Sequence, residues 1–150
     1  MQLRRVVVLV LLLCSAFLGA CSTTSHVSTV PAEPHPIPKG KAYVVSKGEV
    51  SPDIDKALHT ALTRHGMDVS IGTQDQAPSG NVLTVKYDST WMWNITMYLK
   101  SLQLQFYEPK GNNLLAQADW QNSVMHTYPS LQKVVDELVD KMYADLERGR

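Results

Sequence analysis

Three consecutive runs of two-residue alternation constrain this chain more than any other feature. Leu83, Val85, Tyr87, Trp91, Trp93 and Ile95 share one parity, whereas Thr84, Lys86, Asp88 and Thr90 share the other. In an extended strand successive side chains point to opposite faces, so the first set is expected inside and the second outside. Leu102, Leu104 and Phe106 oppose Ser101, Gln103 and Gln105 in the same way, and Leu114, Ala116, Ala118 and Trp120 oppose Gln117, Asp119 and Gln121. Pro109-Lys110-Gly111-Asn112 lies between these two runs and has the residue types of a turn. Adjacent strands of this kind predict an antiparallel meander with one apolar face and one Gln-rich polar face.

A sheet with one apolar face needs cover, and two helical stripes can supply it. Ser51-Pro52-Asp53 opens the first with an N-cap serine, a proline at the first helical position and an early acid. Ile54, Ala57, Leu58, Ala61 and Leu62 follow the helical spacing, and Gly66 stands where a helix would stop. Leu131, Val134, Val135, Leu138, Val139, Met142, Tyr143 and Leu146 form the second stripe, with Glu137 and Lys141 paired on its outside. Tyr43-Val44-Val45 and the alternating Met67, Val69 and Ile71 add two short strands. The expectation is an α+β fold: a two-layer sandwich with a mainly antiparallel sheet of about five strands. The element order is β-α-β-β-β-β-α, with both helices on one face and residues 41–150 forming a single domain.

The chain before residue 41 is of a different kind. Arg4 and Arg5 precede an almost wholly apolar stretch from Val6 to Leu18, and Gly19-Ala20 lead into Cys21. A basic start, a short apolar region and small residues at its end describe a secretory signal, too short to span a bilayer as a stable helix. Leu18, Gly19, Ala20 and Cys21 together resemble the lipobox of bacterial lipoproteins, with signal peptidase recognition at the first three. The resemblance implies cleavage after Ala20, a diacylglyceryl thioether on Cys21 and an acyl group on its amine. Ser22, in place of an inner-membrane retention aspartate, implies sorting to the outer membrane with the domain facing the periplasm. Residues 1–20 would then be signal peptide and residues 21–40 the lipidated cysteine with its tether. The prolines at 31, 34, 36 and 38 favour an extended spacer over Ser22 to Lys39.

The cysteine count agrees. Cys14 lies in the segment expected to be removed, so Cys21 would be the sole cysteine of the mature chain and no internal disulfide is expected. Removing residues 1–20 takes Arg4 and Arg5 from the 14 basic residues, leaving 12 against 14 acidic, a net charge of −2. That balance gives no footing for nucleic acid.

Ser51-Pro52-x-Ile54, Leu62-x-x-x-Gly66, Tyr87-x-x-x-Trp91-x-Trp93-Asn94-Ile95 and Tyr98-Leu99 together resemble a group of small uncharacterised outer-membrane lipoproteins of Gram-negative bacteria. The likeness covers about residues 41 to 146, and Asn94 stands where that group often carries aspartate. It implies a lipoprotein with an α/β domain and carries no activity with it.

Enzyme motifs are isolated. Ser130-Leu131-Gln132-Lys133 fits Ser-x-x-Lys but lacks the companion motifs of penicillin-interacting enzymes, so Ser130 reads as a helix cap. Tyr43-x-x-x-Lys47 lacks a glycine-rich nucleotide loop. His59 and His65 are six apart on one helix, and His26 and His35 fall in the tether. No catalytic residue, metal or cofactor is expected.

What is expected is a non-enzymatic accessory or scaffold lipoprotein, held to the membrane through Cys21 and binding another envelope protein. Regulation of a peptidoglycan-synthesising enzyme is the alternative, and hydrolysis of cell-wall material a third. Candidate partner contacts are Trp91 and Trp93 near a hairpin end, and Gln103, Gln105, Gln117 and Gln121 on the polar sheet face, with Lys86 and Asp119 beside them. The parity of Trp91 and Trp93 places them in the core, whereas their position near the hairpin end suits a contact with a partner or lipid headgroups.

Overall fold

The computed structural model describes residues 24–29, 39–48, 52–109, 113–122 and 128–148. In chain order the elements are β1 (Thr24–Thr29), β2 (Lys41–Val45), α1 (Pro52–Arg64), β3 (Asp68–Gly72), a 3-10 turn (Gln74–Gln76), β4 (Val82–Asn94), β5 (Thr96–Tyr107), β6 (Leu114–Gln121) and α2 (Leu131–Arg148). One mixed sheet contains every strand, in the order β1-β6-β5-β4-β2-β3. The β4–β5–β6 meander and the β1–β6 pair are antiparallel, whereas β2 lies parallel to both β3 and β4. The fold is the expected two-layer α+β sandwich, with six strands rather than about five.

The additional strand comes from the stretch expected to be spacer. Thr24–Thr29 pairs with β6 from Thr24 opposite Gln121 to Thr29 opposite Ala116. Only Val27 packs against the core, so the segment has no apolar run to announce it. An edge strand needs little more than backbone pairing, and its threonines and valine have β-branched side chains suited to a pleat. A polar clamp adds to this: Lys141 Nζ donates to Ser25 Oγ at 2.5 Å, and Ser25 Oγ donates to Glu137 Oε1 at 3.0 Å. Residues 30–38, with the prolines, and the signal and lipobox residues 1–21 lie outside the described residues.

Both helices lie on one face of the sheet. The α1 stripe of Ile54, Ala57, Leu58, Ala61 and Leu62 is buried, as are Val134, Val135, Leu138, Val139, Met142, Tyr143 and Leu146 of α2. They meet Leu83, Val85, Leu102, Leu104 and Phe106 from the meander in one continuous core. Helix α1 ends as its sequence requires. Gly66 has φ 77°, its N–H donates to the Thr63 carbonyl at 2.9 Å, and the Met67 N–H donates to the Leu62 carbonyl at 3.2 Å. These are the two bonds of a Schellman stop, and the burial of both Met67 and Leu62 supplies its apolar contact. The N-cap expected at Ser51 lies outside the described residues.

Two register changes modify the simple alternation. Between β5 and β6 the pairing passes from Phe106–Ala116 to Tyr107–Leu114, so Leu115 is the extra residue, and it turns into the core. Between β4 and β5 it passes from Thr90–Ser101 to Trp91–Leu99, leaving Lys100 without a cross-strand partner on β4. Asn122 holds this second bulge, its backbone N–H donating to the Lys100 carbonyl at 2.9 Å and its side-chain amide to the Leu99 carbonyl at 3.2 Å.

Candidate functional site

Because one parity of β4, β5 and β6 is committed to the core, the other forms the face of the sheet that no described helix covers. The side chains there are ordered by one another. Tyr107 Oη donates to Gln105 Oε1 at 3.1 Å, and Gln105 Nε2 donates to Gln117 Oε1 at 3.2 Å. Gln117 Nε2 then donates to Asp119 Oδ2 at 3.1 Å, while Gln103 Nε2 donates to Asp119 Oδ1 at 2.7 Å. The Asp119 carboxylate therefore ends the ladder, receiving one amide on each oxygen. Lys86 Nζ sits 4.9 Å from the centre of the Tyr107 ring, a cation–π distance. Gln103, Gln105 and Gln117 are half-buried, and Gln121 is exposed at the end of β6.

Two shallow depressions flank the ladder. One, of about 490 Å³, is lined by Thr24, His26, Asp88, Gln103, Asp119 and Gln121 among others. The other, of about 560 Å³, lies between Lys86 and Tyr107 on one side and Pro78 with Gln74 on the other. The sequence reading found the glutamines but missed His26, which reaches this face only because β1 is a strand opposite Asp119.

At the other candidate region the two tryptophans part company. Trp91, opposite Leu99, packs against the core, and its indole N–H is buried without an acceptor among the described residues. Trp93 is 71% exposed and Ile95 90% exposed, so the expectation that both belong to the core is corrected for these two. They have the inward parity, but β4 runs on past the helix layer, and no described element covers their face of the hairpin. Met92 (46%) and Met97 (54%) are also exposed, on a hairpin whose last cross-strand pair is Asn94–Thr96. Ile95 alone forms the turn, with a positive φ of 61°.

The residues of the isolated enzyme motifs are engaged elsewhere. Ser130 Oγ accepts the Lys133 N–H at 3.2 Å, as a cap does. Tyr43 Oη donates to the Thr73 carbonyl at 2.9 Å, and Lys47 pairs with Asp88 at 2.6 Å, holding that carboxyl below its usual range. His65 stacks on Tyr143 with ring centres 4.1 Å apart and lies 2.8 Å from Asp140. Among the described residues no group of three or more His, Cys, Asp or Glu is placed to hold a metal ion.

A third polar group, at the start of α1, is closed on itself. Tyr87 Oη donates to Asp55 Oδ1 at 2.8 Å and Ser46 Oγ donates to Asp55 Oδ2 at 2.5 Å. The Lys47 and Gly48 amides donate in turn to Tyr87 Oη and Ser46 Oγ. Burial, reinforced by the Asp55 carboxylate, pushes the Tyr87 hydroxyl up to about 12. This network ties the chain after β2 to the first turn of the helix.

No family model and no curated protein matches the chain. Solved structures do. A PelC variant dodecamer from Paraburkholderia phytofirmans superposes with a TM-score of 0.54 at 17% identity, over 82% of this chain and 98% of that one. Another PelC dodecamer structure from the same organism matches with a TM-score of 0.48 at 11% identity, over 83% and 97%. A PDZ domain protein from Parabacteroides distasonis matches with 0.48 at 12% identity, over 86% of this chain but 37% of that one. At these identities what the chain shares with the first is a fold.

Proposed function

We propose that this chain is a lipid-anchored accessory protein of the bacterial envelope whose uncovered sheet face docks another envelope component. The supporting observation is the Tyr107–Gln105–Gln117–Asp119–Gln103 ladder. Exposed glutamines normally lose rotamer freedom when a partner binds, at a cost of about 1–2 kcal/mol per side chain. Here much of that ordering is already done within the free protein, so the face is preorganised for a polar partner. The lipobox supports the anchor at Cys21, which brings the domain to a membrane and raises the local concentration of anything else held there.

Photo-crosslinking in intact cells tests the reading. A photoreactive residue is placed at Gln105 or Gln117, and as a control at Glu147 on the exposed side of α2. The expected result is one specific adduct from the sheet face and none from the helix face. Identical adducts from both positions, or none from either, would refute a docking role for the ladder. Adducts made only with further copies of this chain would replace docking with self-assembly; the PelC protein of the same fold is itself a dodecamer.

A further inference from the structure

We infer that the tip of the β4–β5 hairpin is a lipid-contacting surface, seated in the same leaflet as the acyl chains on Cys21. The inference rests on the lipid-anchor reading above and adds to it a second point of attachment.

Strand registers carry the geometry. Thr24, Gln121, Ser101 and Thr90 form one row across the sheet, from β1 through β6 and β5 to β4. Beyond that row β4 continues to Asn94 and β5 returns from Thr96. Strand β1 runs away from the row because it is antiparallel to β6, so Thr24 is its end nearest the hairpin tip. Cys21 lies three positions before Thr24 in the sequence, a reach of at most about 10 Å. Four residues from Thr90 to Asn94 carry the tip about 13 Å past the row, and three strand spacings set the two roughly 14 Å apart sideways. Anchor and tip can therefore meet one plane. A flexible spacer starting at Ser22 would have imposed no such relation; the docking of β1 does.

The chemistry of the tip fits that plane. From Trp91 to Leu99 the hairpin carries no formally charged residue. Alternation puts Trp93 and Met97 on one face with Ile95 at its end, and Met92 on the other beside Asn94 and Thr96, so the exposed apolar surface is chiefly the Trp93–Ile95–Met97 face. Ile95 adds to this: a β-branched residue at φ 61° is strained, and at 90% exposure it gains little from packing against the described residues. Asn94 and Thr96, exposed at the tip, need water or headgroups, which holds the tip at the headgroup–acyl boundary, where tryptophan is favoured.

The test uses the mature acylated full chain in phosphatidylethanolamine–phosphatidylglycerol vesicles whose acyl chains carry bromine, a contact quencher of indoles. Mass spectrometry first establishes the acyl groups on Cys21. The expected result is a loss of roughly a third of the emission, one indole of three reaching the chains, abolished in Trp93→Phe. Ile95→Ser combined with Met97→Ser keeps the indole and should weaken its quenching. Acylated, vesicle-bound protein whose Trp93 is unquenched and open to aqueous iodide overturns the inference and leaves the anchor standing. Shielding of Trp93 without vesicles, growing with protein concentration, overturns it in favour of a second copy. An unmodified Cys21 overturns the anchor reading and this inference together.

Discussion

Gly72 carries no side chain where the Tyr43 ring crosses it: a Cβ at that position would overlap the tyrosine hydroxyl, which donates to the Thr73 carbonyl at 2.9 Å. Position 72 is therefore fixed by a close approach between neighbouring strands rather than by an unusual φ. Gly72→Ala is expected to cost about 1–3 kcal/mol, the usual scale of forced overpacking. Tyr43→Phe alone forfeits one hydrogen bond, about 1 kcal/mol, yet in the Gly72→Ala background it removes the overlapping atom. The double variant should therefore denature at a higher denaturant concentration than additivity of the single effects gives. Strict additivity would show that the two residues do not meet. Residue-level detail also separates Trp91 from Trp93. Two side chains of one type and one parity differ in burial because only the first lies beneath the helices.

At the scale of elements, β1 is an edge strand with little apolar packing to hold it. Val27 is its one core contact, and the Ser25–Lys141–Glu137 clamp joins it to α2. The hydrogen bond from Lys141, and then that from Ser25, hold the Glu137 carboxyl below its ordinary range. A depressed acid contributes stability above its unfolded pKa and loses it as pH falls through the folded value, so acid loosens the clamp. The group is well exposed, which limits the effect to a few tenths of a kcal/mol. Hydrogen exchange read strand by strand should show β1 amides losing relative protection as pH drops through the carboxylate range, with no matching change in the β4–β5 meander. Glu137→Gln should remove that pH dependence. An unchanged profile in this variant would assign the acid sensitivity of β1 to another group. If β1 undocks, the relation between Cys21 and the hairpin tip is lost with it, so this clamp bears on how the domain sits at a membrane.

For the molecule as a whole, the division of labour between the two sheet faces sets what can be changed. Leu104 and Leu138 are fully buried where sheet and helices meet. Either one replaced by alanine should cost about 2–5 kcal/mol, as a core cavity does. Gln117→Ala interrupts the ladder on the open face and should cost only about 0.5–1.5 kcal/mol. Chemical denaturation of both variants, with crosslinking at Gln105 as a second readout, separates the two roles. The core variants should lose stability, whereas Gln117→Ala should keep most of it and lose the adduct. A Gln117→Ala protein as unstable as Leu138→Ala would mean that the ladder holds the fold together.

Periodicity by itself determined the layers. A period of two in the meander and a helical period in α1 and α2 place residues on faces through geometry internal to each element, so the inward and outward sets could be read without a structure. Gly66 was legible for the same reason, because a helix stop is a local backbone event. Tertiary structure decided the rest. Thr24–Thr29 became a strand because β6 offered an open edge, which no residue within the segment records. Leu115 entered the core and Lys100 dropped out of register through bulges, which are properties of a strand pair. Trp93 and Ile95 kept their parity and lost their cover, since burial depends on where the opposite layer ends. Alternation reports which way a side chain points, and only packing determines whether anything meets it there.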